Sequence, residues 1–193
     1  VFSDYITIKY QEVITIGKVS VAEIKELMSA TGVGMMDCKK ALEANDGDMD
    51  KAIEFLREKG LATQAKKSGR AAAEGIVTAV VNGNVGVLLE VNTETDFAAN
   101  IDDIKNFVAG VANTIIEKNP ADVEALKAEV ISGGTSTIGD VLTELAGMKI
   151  RENIVIRRFV RMEGKLASYI HNGGSIGVLV KMDTELDADA VAA

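Results

Sequence analysis

Residues 85–96, VGVLLEVNTETD, align without gaps on residues 176–187, IGVLVKMDTELD, at a constant offset of 91, with six of the twelve positions identical. A repeated strand with an apolar face cannot bury that face alone, so the repeat commits the chain to packing two related units together. IVTAVV and the turn Asn82-Gly83-Asn84 precede the first copy, and LASYIH with Gly173-Gly174 precedes the second. Asn-Gly and Gly-Gly supply the positive φ that a tight turn between twisted strands requires, so each copy reads as the return strand of an antiparallel hairpin. Behind the first hairpin, Ile104, Phe107, Val108, Val111 and Ile115 recur at helical spacing until Pro120. Helical segments are expected around Val123 to Val130 and Ile138 to Leu145, and a strand over Asn153 to Met162, NIVIRRFVRM. Only Leu186 to Ala193 follows the second hairpin. That is too short to cover an apolar face, so the second copy is expected to be incomplete and its sheet face open to solvent.

The front of the chain has a different grammar. Ser20 with Glu23 forms a capping box, and Val21, Ile24, Leu27 and Met28 then share one helical face. Thr31-Gly32-Val33-Gly34 breaks this helix, Met35, Cys38, Ala41 and Leu42 restart the apolar period, and Asn45-Asp46-Gly47-Asp48 leads into Met49, Ala52, Ile53 and Leu56. Gly60 reads as the C-cap of the third helix. Residues 62–75, with Lys66, Lys67 and Arg70, lack core periodicity and read as a linker, their basic cluster being either a solvated hinge or a partner contact. Residues 1–18 match nothing else in the chain. Their YITIKYQEVITIG run suits a strand or hairpin arm, or an appended segment.

The expected class is therefore α+β: an extension over 1–18, a three-helix module over 19–61, a linker over 62–75, a first core subdomain over 76–165, and the start of a truncated second one over 166–193. With 21 basic against 29 acidic residues, the net charge of -8 argues against a general nucleic-acid surface, which needs a cationic face. The one cysteine, Cys38, and the one histidine, His171, cannot close a disulfide or a zinc tetrahedron within the chain. No run of about 20 apolar residues suggests a membrane span. No metal or cofactor is expected.

Candidate site residues come from what the two copies do not share. Gly86 with Gly177, and Val87 with Val178, are common to both and belong to the scaffold. Copy one ends Thr95-Asp96-Phe97 where copy two has Leu186-Asp187-Ala188. Phe97 is either a lid on the nearby core or an exposed anchor for a partner pocket. His171 stands opposite Val80 in the alignment.

Five blocks then carry a resemblance to the translation elongation factor Ts family. They are TGVGMMDCKKAL (residues 31–42), AKKSGRAAAEG (65–75), EVNTETDF (90–97), ENIVIRR (152–158) and YIHNGGSIGVLV (169–180), in the family's order. The resemblance implies that the three-helix module is the family's ubiquitin-associated-like domain. It implies a guanine-nucleotide exchange factor that binds elongation factor Tu, both GDP-bound and nucleotide-free, and promotes GDP release without covalent chemistry. The setting it implies is the cytoplasm of a bacterial-type cell or an organellar matrix. Carried over by residue, Thr95, Asp96 and Phe97 are the exchange wedge that disturbs the magnesium and phosphate site. Val33, Met35, Met36 and Lys39 dock the N-terminal module, with Met35 open between core and contact, and Ile150, Arg151 and His171 are core contacts. The chain departs from the family's K-I-G-E-N-I at Arg151, which stands where the glycine is usual, and from T-D-F-V at Ala98.

Two other classes are weighed against this one. A plain adaptor would use the three-helix module to bind ubiquitin or nascent-chain factors and the β unit as another interaction domain, and it would not need the ordered core motifs. An enzyme would need an activated nucleophile, whereas Cys38 sits on an apolar helical face and His171 has no evident sequence partner.

Overall fold

In the computed structural model, residues 15–16 and 19–183 are described. Most of the expected 1–18 extension, and residues 184–193 with Leu186, Asp187 and Ala188, lie outside them. The chain is α+β and divides after Leu56 into two compact units. Among the described residues no helix is long and apolar enough to cross a membrane.

In the first unit, β1 (Thr15–Ile16) pairs antiparallel with β2 (Val19–Ser20). Ser20 caps α1 (Val21–Thr31): its hydroxyl oxygen accepts from the Glu23 N–H at 3.2 Å while its own N–H donates to Glu23 Oε2 at 2.7 Å. These bonds satisfy otherwise orphaned donors and hold the Glu23 carboxyl below its ordinary pKa. Gly32, at φ 66°, ends α1 by donating to the Met28 carbonyl. The next helix, α2 (Met35–Ala44), ends ahead of a turn through Asp46 and Gly47 at positive φ, and α3 (Met49–Lys67) follows. Ile24, Leu27, Val33, Cys38, Ala41, Leu42, Ala52 and Leu56 are buried.

The second unit begins in the middle of α3. Gly60 does not end this helix, which runs on to Lys67 into the stretch read as linker. Its missing side chain serves packing instead: a Cβ built on Gly147 would run into the Gly60 backbone, 2.7 Å from its Cα. Gly147 therefore has no room for a side chain, whereas a Cβ on Gly60 would meet only the Met148 side chain, at 3.2 Å. Elsewhere on α3, Gln64 Oε1 accepts from the Thr143 hydroxyl at 2.9 Å, and Arg57 pairs with Asp140 at 3.6 Å.

Beyond α3, β3 (Glu74–Asn82) turns through Gly83, at φ 59°, into β4 (Val85–Thr93). A four-residue helix, α4 (Asp96–Ala99), precedes the long α5 (Asp102–Lys118), which Asn119 closes at φ 49°. Then come α6 (Val123–Ala128), α7 (Ile138–Glu144), a π-helical turn over Leu145–Lys149, and β5 (Val155–Glu163). The last hairpin, β6 (Lys165–His171) and β7 (Ile176–Met182), turns through Asn172, Gly173 and Gly174, all at positive φ.

Strand order is β3-β4-β5 in one antiparallel sheet, with β6-β7 as a second. Period-two alternation on β4 divides its side chains between two faces. Val87, Leu89 and Val91 are fully buried in one core with Ile104, Phe107, Val108, Val111 and Ile115 of α5. On the other face, glycines admit the second hairpin. A Cβ on Gly86 would stand 2.9 Å from Leu179, and one on Gly177 would stand 2.9 Å from Leu88. At the 91-residue offset Gly86 aligns with Gly177 and Leu88 with Leu179, so the two strands exchange the same contact. The positions aligned with Val87 and Leu89 are Val178 and Val180, and these are exposed, together with Ile176 and Tyr169.

Two outcomes are expected. Gly147→Ala inserts a methyl where a backbone already lies and lowers stability by about 1–3 kcal/mol, read as a reduced urea midpoint with unchanged slope. The exposed β7 face binds a hydrophobic dye, and Val178→Thr with Val180→Thr removes most of that fluorescence. A native chain that leaves the dye dark would contradict the open face.

Candidate partner-binding site at the end of β4

Where β4 ends, the chain makes a tight polar turn before α5. The Thr93 hydroxyl is fully buried and donates to the Thr95 carbonyl at 2.7 Å. Thr95 is the N-cap of α4, its Oγ1 accepting from the Ala98 N–H at 3.2 Å. Ala98 and Ala99 face inward and are buried, whereas Phe97 between them and the turn is 76% exposed. Of the two readings the sequence left open, a core lid or an exposed ring, the structure therefore has the exposed one. Leaving a Phe in water forgoes about 1.5–3 kcal/mol of burial, a large sum for a residue on an otherwise well-fixed turn. Asp96 is also exposed, and its carbonyl accepts from Asn100 Nδ2 at 3.0 Å.

The turn is gripped from a segment far away in sequence. Glu152 takes two hydrogen bonds from Thr95, one from its N–H at 3.0 Å and one from its hydroxyl at 2.7 Å. Asn153, 5% exposed, donates its N–H to Glu94 Oε1 at 2.7 Å and its amide to the Arg70 carbonyl at 2.7 Å. Arg70 also pairs with Glu94 at 3.5 Å. Lys67 Nζ donates to the Arg151 carbonyl. Burial first, and then neighbouring Arg70, push the Lys67 pKa below its ordinary value. The residues read as a basic linker cluster are thus partly engaged in bracing this turn. Glu152 and Asn153 were not singled out by sequence reasoning. Their placement within ENIVIRR, beside Arg151, was the only available signal.

Ile150 is half-buried and packs against the main core, and Arg151 beside it is exposed at φ 60°. The position where the resemblance sets a glycine is therefore one that needs a left-handed backbone, and Arg151 adopts it at a steric cost. Along β5, Glu90 pairs with Arg158 and Val91 with Ile156, which leaves Arg157 as the extra residue of a bulge. A cleft of about 400 Å³ opens between the sheets, where Arg158 Nε meets Glu90 at 2.6 Å.

The other expected site residues lie elsewhere. His171 ends β6, exposed, with the Tyr169 hydroxyl 2.9 Å from its Nδ1, and shares no hydrogen bond with the Thr95 turn. In the first unit, Met35 is 51% and Met36 64% exposed at the start of α2, and Lys39 pairs with Glu43 at 3.6 Å. Met35 is thus resolved in favour of the surface. Val33, expected on the docking surface, is instead 3% exposed, packed into the three-helix unit. Its carbonyl accepts from the buried Cys38 thiol at 3.3 Å, and burial pushes the Cys38 pKa above its ordinary value. Among the described residues no group of three or more His, Cys, Asp or Glu side chains is placed to hold a metal.

Relief of the Arg151 backbone gives a direct check. Arg151→Gly is expected to raise stability by about 0.5–1 kcal/mol, the left-handed penalty removed less the added chain entropy of glycine, read as a higher urea midpoint.

Comparison with known proteins supplies the family. Residues 94–193 match the family model described as Elongation factor TS. Elongation factor Ts of Trichlorobacter lovleyi is 52% identical over 168 residues, covering 84% of this chain and 54% of that protein. The Syntrophotalea carbinolica protein of the same name is 46% identical over 91% of this chain and 59% of its own length. That of Clostridium perfringens is 48% identical, covering 88% of this chain and 57% of that protein. The chain spans little more than half the length of these relatives. With the matched region beginning at Glu94 and running through the Thr95-Asp96-Phe97 turn, the chain belongs to the elongation factor Ts family.

Proposed function

We propose that this chain binds elongation factor Tu, GDP-bound or nucleotide-free, and speeds the exchange of GDP for GTP by disturbing the magnesium and phosphate site. No covalent bond is made or broken. The observation that supports this reading above the others is Phe97: a large apolar side chain held out in solvent on a braced turn, as an insert into a partner requires. A factor that binds nucleotide-free Tu more tightly than Tu·GDP must weaken GDP binding by the same coupling free energy. Because GDP is held through its phosphates and magnesium, a rigid apolar wedge that shifts those groups is an economical way to generate that coupling.

On this reading Thr95 fixes the turn, Asp96 orients or competes for polar groups, and Phe97 supplies the apolar insert. Met35, Met36 and Lys39 form the docking surface of the three-helix unit, which we take to be ubiquitin-associated-like. Ile150, Arg151 and His171 contribute core contacts. We further take the two hairpins to be copies of one unit, supported by the reciprocal Gly86–Leu179 and Gly177–Leu88 contacts. The setting is the cytoplasm of a bacterial-type cell or an organellar matrix. The partner surface involves neither nucleic acid nor membrane.

The test is release of fluorescent GDP from elongation factor Tu. The chain should accelerate it, and Phe97→Ala should reduce the acceleration by about 30-fold or more, the scale of a binding hot spot. Since Phe97 is mostly in water, the same substitution should leave the unfolding midpoint almost unchanged. A folded chain that gives no acceleration would refute the exchange reading.

A further inference from the structure

Phe97 cannot be positioned by its own burial, because little of it is buried. Its backbone must be fixed by something else. Local bonds alone do not suffice: α4 is four residues long, and so short a helix has no independent stability. The Thr95 N-cap bond to Ala98 closes one turn, but it depends on the Thr95 hydroxyl pointing inward. Glu152 sets that orientation. Its Oε1 accepts the Thr95 hydroxyl proton at 2.7 Å, which leaves the oxygen lone pairs for the Ala98 N–H, and its Oε2 takes the Thr95 N–H at 3.0 Å. One carboxylate therefore fixes both the cap residue's backbone and its side chain, and bonds to a charged acceptor are stronger than neutral ones. Glu152 is itself held: Arg151 before it is tied through its carbonyl to Lys67, and Asn153 after it is buried and bonded to Glu94 and Arg70.

We propose that Glu152 is a positioning residue for the exchange wedge, acting through Thr95 to hold Phe97 in its partner-ready orientation. This rests on the exchange reading above. Without Glu152, the competent orientation of the wedge is only fractionally populated, and apparent affinity for the partner falls by that fraction while the chemistry at the partner's magnesium site is unaltered. Loss of Glu152 therefore has a different signature from loss of Phe97. It raises the concentration giving half-maximal GDP release, whereas loss of the ring lowers the saturated rate.

The experiment compares the full chain with Glu152→Ala, Glu152→Gln, Phe97→Ala and the double variant Glu152→Ala with Phe97→Ala. GDP release from elongation factor Tu is titrated alongside amide hydrogen exchange of each chain by itself. In Glu152→Ala the Thr95 and Ala98 amides should exchange about tenfold faster while the β4 amides keep their protection. Half-maximal release should need about tenfold more chain, with the saturated rate within twofold of wild type. Glu152→Gln, which keeps one carbonyl acceptor, should fall between. In the Phe97→Ala background, removing Glu152 should change nothing further, because two residues acting through one contact are not additive. Unchanged amide exchange at Thr95 and Ala98 would overturn the proposal. So would loss of protection throughout β4, or an effect on release that adds in full to that of Phe97→Ala. If the wild-type chain fails to release GDP, the exchange reading falls and this role falls with it, while the amide data still decide whether Glu152 holds the turn.

Discussion

The second unit depends on the reciprocal fit of leucine over glycine between its two sheets. Gly86 and Gly177 leave room, which Leu179 with Leu166 and Leu88 with Val77 fill. Because side chains alternate along a strand, this one contact decides the fate of every other residue on both strands. With Leu88 turned toward the hairpin, Val87, Leu89 and Val91 must point the other way, into the core beneath α5. The same rule turns Val178 and Val180 outward on β7, where they remain open.

From that end onward the physics changes. Behind the turn the structure is apolar and close-packed, while the turn itself is held by a chain of hydrogen bonds: Thr93 to Thr95, Thr95 to Glu152, Asn153 to Glu94 and Arg70. A site that must present a bare aromatic ring cannot be held by burying that ring. Polar bonds to the backbone on either side hold it without covering it. The two inward alanines, Ala98 and Ala99, close the turn on the core and are too small to displace anything there.

Much of this was legible in the sequence because it is local. The Ser20–Glu23 capping box, the Gly32 stop, the hairpin turns and the α5 stripe each lie within a few residues, where spacing reports geometry directly. The Arg151 position was legible only in part, since a replaced glycine points equally to a close backbone approach or to a positive φ, and the structure has the positive φ. What was misread depends on distant partners. Gly60 was taken as a helix stop because glycine signals a turn and a close approach equally well, and only Gly147 distinguishes the two. Val33 lies between two glycines in a break, where apolar periodicity has nothing to say about which way it faces. Glu152 and Thr95 are 57 residues apart, and nothing in either neighbourhood announces the other.

The two kinds of contact differ in how they respond to temperature. Apolar burial weakens on cooling, and the leucine-over-glycine contact between the sheets relies on it. The carboxylate that holds Thr95 draws on electrostatic attraction and carries no such loss. Cooling is therefore expected to weaken the contact between the sheets more than the hydrogen bonds that hold the Thr95 turn.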